Sequence, residues 1–151
     1  MSREALKFFH SYVREMIDIG GENLPKTIST RLGGKLAKIY KQMGITDVIE
    51  GLRESYRAIK GNPDITKIDD NTYEVKNKYM RKFCPIGGNP QSDRQAEMVQ
   101  QCVCQPFTIG FLNSLDPRFT YEGTVEECIL NTHKKVCRYL LQIREKDGHL
   151  K

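Results

Sequence analysis

Five cysteines are the residues of this chain whose type and spacing point most directly to chemistry. Cys84, Cys102, Cys104, Cys128 and Cys137 all lie in the C-terminal half of the sequence. Thiolates bind soft and borderline metals, and four of them form a tetrahedral zinc site. A thiolate beside a base is instead a nucleophile, whereas many buried free cysteines have neither role. The sequence therefore leaves metal ligands, a reactive thiol and inert core residues as open interpretations.

The spacing of the cysteines favours four of them as zinc ligands. If the CVC stretch is a strand, its two thiols point to opposite sides and only one reaches the site. We choose Cys104, because it lies closer to the N-terminus of the following helix, where the helix dipole stabilises a thiolate. A hairpin loop would bring Cys128 and Cys137 together, and Cys84 would complete the set from the end of an earlier hairpin. The predicted metal-site region is 84–141.

His133 is the best candidate for a base if one cysteine is a nucleophile. A single histidine in a loop is more often a solvated residue, so we assign no catalytic residue. The sequence contains no phosphate-binding loop, no GxGxxG, no HExxH and no GxSxG pattern. A metal-dependent or thiol-dependent hydrolase or reductase remains the alternative to a binding protein.

The composition is that of one ordinary globular domain covering residues 1–151. Charged residues make up 28% of the chain and hydrophobic residues 38%, which is too apolar for a disordered protein. The net charge of +5 is spread along the chain without a run of five or six basic residues. A nucleic-acid-binding zinc protein is therefore a hypothesis that only the charge supports, and we do not expect nucleic acid as a partner.

The sequence predicts a cytoplasmic protein without a membrane span. No apolar run approaches the roughly 20 residues that cross a bilayer. Arg3, Glu4 and Lys7 stand where a signal peptide would be apolar, so we interpret the start as an amphipathic helix of the fold. In a reducing compartment disulfides are disfavoured, which again favours metal ligands or free thiols.

Three helices are predicted in the N-terminal part from apolar spacings of three and four. The first ends at Gly20 and Gly21, and the second has Gly44 as a C-cap. Gly33 and Gly34 lie inside the second pattern, where they let another backbone approach closely. Asp47 is predicted to cap the third helix.

Two hairpins and one further helix are predicted in the rest of the chain. Alternation around 65–79 predicts the first hairpin, and alternation at 118–128 and 136–143 predicts the second. A helix is expected from Arg94 to about Leu115, and Pro106 indicates a break or a new helical start after the cysteine pair. Because helices and strands come in runs, the predicted class is α+β, with N-terminal helices, a central helix and an antiparallel sheet of two hairpins.

Four aromatic residues are candidates for an apolar ligand pocket. Phe107 and Phe111 belong to the central helix, and Tyr121 and Tyr139 belong to the last two strands. Such aromatics are more often plain core residues, but they would also suit a cavity between a helix and a sheet.

The region from Cys104 to Leu141 resembles the 4-vinyl-reductase domain, also described as a hydrocarbon-binding domain. The resemblance rests on Cys104 before a helix with Gly110-Phe111-Leu112, then Glu127-Cys128 on a strand, then Cys137-Arg138-Tyr139. The turn before the last cysteine reads NTHKK, without the glycine that is usual in the family. The upstream helices and hairpin fit the same domain.

The resemblance implies a fold similar to the ligand-binding domains of vesicle-tethering TRAPP subunits and haem-based nitric-oxide sensors. It also implies a hydrophobic small-molecule ligand, a homodimer and a zinc-type cysteine site. The family's name does not establish a reductase activity for this chain. A hydrocarbon-binding module is therefore the function that the sequence predicts.

Overall fold

The computed structural model describes residues 3–80, 84, 93–129 and 134–146. The helices are α1 (Arg3–Gly20), α2 (Asn23–Gln42), α3 (Val48–Ala58), α4 (Asp93–Val99) and α5 (Gln105–Leu115). The strands are β1 (Asn62–Lys67), β2 (Thr72–Lys78), β3 (Phe119–Glu127) and β4 (Val136–Glu145). None of the helices in these ranges has both the length and the apolar character that a bilayer crossing requires.

The four strands form one antiparallel sheet in the order β1-β2-β4-β3. The two predicted hairpins, β1–β2 and β3–β4, are confirmed, and they join through the central pair β2–β4. In that pair Val75 lies opposite Tyr139 and Asn77 lies opposite Cys137, so these four side chains share one face of the sheet. The predicted α+β class is also confirmed.

Helix α5 is the centre of the fold, because it lies between the sheet and α2. Its buried residues Phe111, Leu112 and Leu115 belong to the same core cluster as Ala37 of α2 and Leu141 of β4. The ring of Tyr40 meets that of Phe111 edge to face, with 5.5 Å between centroids. Burial of this cluster on both sides of α5 joins the helical layer to the sheet.

Glycines allow α2 and α5 to approach at backbone distance. A Cβ atom added at Gly33 would lie closer than 3.0 Å to backbone atoms of Phe107 and Phe111. A Cβ atom at Gly110 would meet the backbone of Thr30 in the same way. The close approach expected at Gly33 is therefore confirmed, and its partner is α5.

Local signals at the helix ends act as the sequence predicts. The side chain of Asp47 accepts a hydrogen bond from the backbone N–H of Glu50 at 2.9 Å, so it caps α3. Gly44 follows the end of α2 with a φ of +87°, a left-handed conformation that glycine adopts without steric cost.

The CVC stretch differs from the strand on which the sequence argument relied. Residues Gln100–Cys104 form a π-helical turn that joins α4 to α5 in one continuous helical run. A π turn inserts an extra residue into a helix and occurs frequently at functional sites. Cys104 has helical backbone angles, so it does not stand at a free helix N-terminus.

We predict that Gly33→Ala destabilises the protein while Gly34→Ala does not. The methyl group at position 33 must push two helix backbones apart, which costs about 1–3 kcal/mol as overpacking. At position 34 the methyl group meets only the mobile end of the Ser114 side chain, 2.9 Å away, and alanine favours the helix. Urea unfolding measures both variants, and equal stabilities would contradict the close packing.

Candidate functional site

Four thiols from separate segments are neighbours, and we call Cys84, Cys104, Cys128 and Cys137 the thiol cluster. The thiols of Cys128 and Cys137 hydrogen bond to each other. Cys104 lies within electrostatic range of Cys84 and Cys128, and Cys137 lies within range of Cys84. The four selected cysteines thus lie in one region of the fold, and their role as metal ligands stays a prediction.

Each cysteine of the cluster is placed by a different element. Cys104 ends the π turn, Cys128 follows the last residue of β3, and Cys137 is the second residue of β4. The backbone N–H of Ile129 also donates to the Cys137 sulfur at 3.4 Å. Cys84 and Cys128 are buried, whereas Cys104 and Cys137 are partly buried.

Cys102 lies on the other side of the π turn, away from the thiol cluster. It is fully buried with Val13 of α1 and its neighbour Val103. Glu22 and Lys26, at the start of α2, are the charged groups that act on it. A helical turn, rather than the strand on which the choice of Cys104 over Cys102 rested, separates the two thiols.

The surroundings favour the protonated form of Cys104 and Cys137. Burial raises the pKa of Cys104 strongly, and the adjacent Cys84 and Cys128 raise it further. The hydrogen bond between Cys137 and Cys128, and then burial, raise the pKa of Cys137. The thiolate that the sequence argument expected at a helix N-terminus is therefore wrong, because the helix is continuous and the surroundings are apolar.

Proximity of thiols is not the same as a formed metal site. Within residues 3–80, 84, 93–129 and 134–146, no three His, Cys, Asp or Glu side chains are arranged so that they hold a metal ion. The donor set itself suits zinc, because four thiols of one neighbourhood match the ligands of structural zinc sites. His133, the predicted base, lies outside the described residues.

Three tyrosines and one asparagine form a second group beside the thiols, and we call Tyr56, Asn77, Tyr79 and Tyr139 the tyrosine–asparagine cluster. The hydroxyls of Tyr56 and Tyr139 share a hydrogen bond of 2.5 Å. The Asn77 amide nitrogen donates to the Tyr79 hydroxyl at 2.7 Å. Burial raises the pKa of all three tyrosines, and Cys104 acts on each of them.

The side-chain oxygen of Asn77 is a buried acceptor without a hydrogen-bond partner among the described residues. Asn77 is only 2% exposed, so bulk water does not compensate for the missing bond. Its neighbour on β1 is Pro63, and Gly61 lies against the oxygen without offering a side chain. An unpaired buried polar atom costs about 1–3 kcal/mol, so a group from outside this cluster has a reason to bind here.

The sequence argument missed Tyr56, Asn77 and Tyr79 as site residues. A signal was present in β2, where Tyr73, Val75 and Tyr79 alternate with polar residues and Asn77 occupies the same inward phase. A polar residue at an inward position of such a strand indicates either a satisfied hydrogen bond or a binding group. Tyr56 gave no such signal, because its partner is 83 residues away.

The four predicted pocket residues belong to α5 and to the strands β3 and β4. Phe111, Tyr121 and Tyr139 are part of the buried core cluster, whereas Phe107 is partly buried and its backbone lies against Gly33 of α2. The hydroxyl of Tyr121 donates to the backbone oxygen of Asp116 at 2.7 Å. Of these four residues, Tyr139 alone also belongs to the tyrosine–asparagine cluster. It therefore connects the predicted pocket to the unpaired oxygen of Asn77.

A separate cavity of about 610 Å³ lies at the other end of the sheet, where α3 begins. Its lining includes Asp47, Asp70, Asp116, Arg118 and Glu145 together with apolar side chains. Asp47 caps α3 and Asp116 pairs with Arg118, so these charges serve the fold. The charged lining does not suit the hydrocarbon ligand that the sequence predicts.

Comparisons with known proteins identify the fold. No protein-family model matches the chain, and no curated protein matches it. The chain is similar to a trafficking protein particle complex subunit 3 from Naegleria fowleri, solved covalently bound to palmitic acid. The two chains share 12% identity over 93% of each, with a TM-score of 0.63. The expected TRAPP-like fold is confirmed.

A second solved structure has the same fold with a different printed ligand. It is the phenol-responsive sensory domain of the transcription activator PoxR, solved with phenol. The identity is 15% over 91% of this chain and 73% of that one, with a TM-score of 0.54. At these identities the likeness establishes the fold alone.

We predict that Tyr56→Phe and Tyr139→Phe each lower the free energy of unfolding by about 1–2 kcal/mol, since each leaves a buried hydroxyl without its partner. The double variant should lose less than the sum, because it removes both hydroxyls of the bond. Urea unfolding of the wild type, the two single variants and the double variant gives the coupling free energy between the two hydroxyls. Additive losses would contradict direct coupling of the two residues.

Proposed function

We propose that this chain is a binding module for a hydrophobic small molecule and that a structural zinc site stabilises it. The ligand's apolar part would lie between α5 and the sheet, against Phe107, Phe111, Tyr121 and Tyr139. Its single polar group would donate to Asn77. The zinc ion would bind the thiol cluster.

The observation that carries the ligand proposal is the unpaired oxygen of Asn77. It lies on the same sheet face as Tyr139, which is part of the core. A ligand that is mostly apolar and has one donor matches an apolar wall with one unsatisfied acceptor. The two similar structures, solved with covalently bound palmitic acid and with phenol, support an apolar ligand, and phenol also carries one donor. The resemblance to the hydrocarbon-binding family supports it too.

Convergence of the four thiols supports the zinc proposal. They come from four segments that are distant in the sequence, so zinc would join the two hairpins to the central helix. Metal binding requires deprotonated thiols, and the ion supplies the charge that compensates for four buried thiolates. With four thiolate ligands the coordination is closed, and the metal is structural rather than catalytic.

The raised pKa values argue for binding rather than for thiol catalysis. A nucleophilic cysteine needs a lowered pKa or an adjacent base. Burial instead raises the pKa of Cys102 and Cys104, and together with Cys128 it raises that of Cys137. We therefore keep binding as the proposed function, in a reducing compartment such as the cytoplasm.

We further propose a homodimer, which the family resemblance implies. In the described residues, α1 packs on its own chain through Val13 and, in part, Met16 and Ile17. Phe8 and Tyr12 on the same helix are exposed. A helix with a second apolar face of this kind is typical of an assembled protein.

We predict about one zinc ion per chain in protein purified without chelators or added metal. Cys137→Ser should lower the zinc content and the melting temperature, because it removes a ligand. Cys102→Ala is the matched control: it removes a buried thiol of the same CVC stretch outside the cluster and should keep the zinc. Mass spectrometry measures the zinc content of both variants. An equal loss of zinc in the two would contradict the assignment of the thiol cluster as the zinc site.

We predict that Asn77→Leu weakens ligand binding at least tenfold, because it removes the unpaired acceptor and leaves the apolar wall. It also removes the hydrogen bond to the Tyr79 hydroxyl, so the free energy of unfolding should fall by about 1 kcal/mol. The probes are hexadecanol and phenol, whose hydroxyl groups donate hydrogen bonds, and their binding is measured by calorimetric titration of the purified protein. Asn113→Ala on exposed α5 surface is the control and should bind as wild type. A protein that binds neither probe and releases no small molecule on denaturation would contradict the proposal.

A further inference from the structure

The side-chain amide of Asn77 is oriented so that its oxygen faces the site as an acceptor. Its nitrogen donates to the Tyr79 hydroxyl at 2.7 Å, and this bond fixes which way the amide points. A Cβ atom added at Gly61 would lie 2.3 Å from the oxygen, so glycine is the residue that leaves room for it. The buried amide therefore presents an unpaired acceptor, and not a donor, to a molecule that binds beside it.

The tyrosines around Asn77 supply a complementary donor. Tyr56 and Tyr139 share one hydrogen bond between their hydroxyls, so one of their protons is not used in that bond. Tyr79 lies within electrostatic range of both, which places the three hydroxyls in one neighbourhood. The tyrosine–asparagine cluster thus combines an acceptor with a tyrosine proton. A hydroxyl group matches this pair, because it donates and accepts at the same time.

Negative charge is unfavourable in the same surroundings. Burial raises the pKa of Tyr79, and the nearby thiols and a neighbouring hydroxyl raise it further. Lys76 and Lys78 flank Asn77 on β2 and therefore point to the opposite face of the sheet, and Lys60, just after α3, is exposed. A carboxylate accepts the tyrosine proton, but it has no proton for Asn77 and brings a charge that no side chain of the cluster compensates.

From this arrangement we infer that Asn77, oriented by Tyr79, selects ligands that carry a hydroxyl group over the corresponding ethers and carboxylates. The inference rests on the proposed function and names the chemical class of its ligand, an uncharged alcohol with an apolar body. Water solvates a hydroxyl group better than an ether oxygen, so an apolar pocket alone would favour the ether. A preference for the alcohol therefore requires a hydrogen bond that is made inside the site.

A buried water molecule is the other partner to consider for Asn77. Water donates and accepts as an alcohol does, so it also satisfies the acceptor. A ligand hydroxyl that displaces such a water reproduces its hydrogen bonds, whereas an ether or a carboxylate leaves Asn77 unpaired. The expected order of affinities is therefore the same whether or not water occupies the site before the ligand binds.

The test is calorimetric titration of the purified protein with isomeric probes at neutral pH. Octan-1-ol and 1-methoxyheptane are isomers, as are benzyl alcohol and anisole, and octanoate and benzoate are the charged counterparts. Each alcohol should bind about tenfold more tightly than its isomeric ether, as one hydrogen bond supplies, and more tightly than its carboxylate. Equal or tighter binding of the ethers or carboxylates would overturn the inference and leave the binding module. Absence of binding by every probe would overturn both.

Two variants assign the preference to Asn77 and to its orientation. In Asn77→Leu the ether should bind at least as tightly as the alcohol, because the acceptor is gone. In Tyr79→Phe the amide turns freely and also donates to an ether oxygen, so the alcohol-to-ether ratio should fall toward one. Tyr73→Phe removes a hydroxyl from the same strand outside the cluster, and it should keep the wild-type ratio.

The alcohol-to-ether ratio is measured within each variant, so a general loss of stability does not mimic these results. A wild-type ratio in Asn77→Leu would show that Asn77 does not contact the ligand and would overturn the inference. An equal change in Tyr79→Phe and Tyr73→Phe would overturn the role of Tyr79 in orienting the amide.

Discussion

The backbone contact between α2 and α5 is the constraint on which the rest of the structure depends. Gly33 and Gly110 let the two helices approach more closely than side chains would permit. The approach fixes α5 against α2 on one side, and Phe111 and Leu112 then fill the space above the sheet on the other. Because the π turn is continuous with α5, the same contact fixes the directions of Cys102 and Cys104.

The polar side chains of the sheet that face α5 lie at one end of the sheet. Asn77 and Cys137 are paired across β2 and β4, and Val75 and Tyr139 are paired two residues further along. This register places the thiol cluster and the tyrosine–asparagine cluster side by side beneath the start of α5. The proposed metal would thus stabilise the part of the sheet against which the proposed ligand lies. Removal of the metal should therefore weaken ligand binding.

Much of the fold was predictable because local signals agree with the tertiary structure. Asp47 as a cap, Gly44 after α2 and the alternation around Val75 each specify their element without distant contacts. The choice of Cys104 as a metal ligand stays a prediction, and the strand from which it was argued is a π turn in the structure. Apolar periodicity does not reveal a π turn, since one extra residue in a helix leaves no compositional trace.

The partners of the site residues were harder to predict, because they depend on packing between distant elements. Tyr56 meets Tyr139 only when α3 lies on the sheet, and no spacing in the sequence encodes that contact. The burial that raises the pKa of Cys104 is likewise a tertiary effect. By contrast, Asn77 was predictable as a site residue, because it is a polar residue at an inward-facing position of β2, where the other inward positions are apolar or aromatic.

The π turn also has a consequence for how this protein tolerates change in length. One inserted residue advances the rotational phase of a helix by about 100°, so α4 and α5 are out of step with each other by that amount. Loss of a single residue between Gln100 and Cys104 would restore an ordinary helix of nearly the same composition. Because α5 is fixed against α2, the deletion would rotate α4 relative to α5 and displace Cys102 from its contact with Val13, so the number of residues here matters as much as their identity.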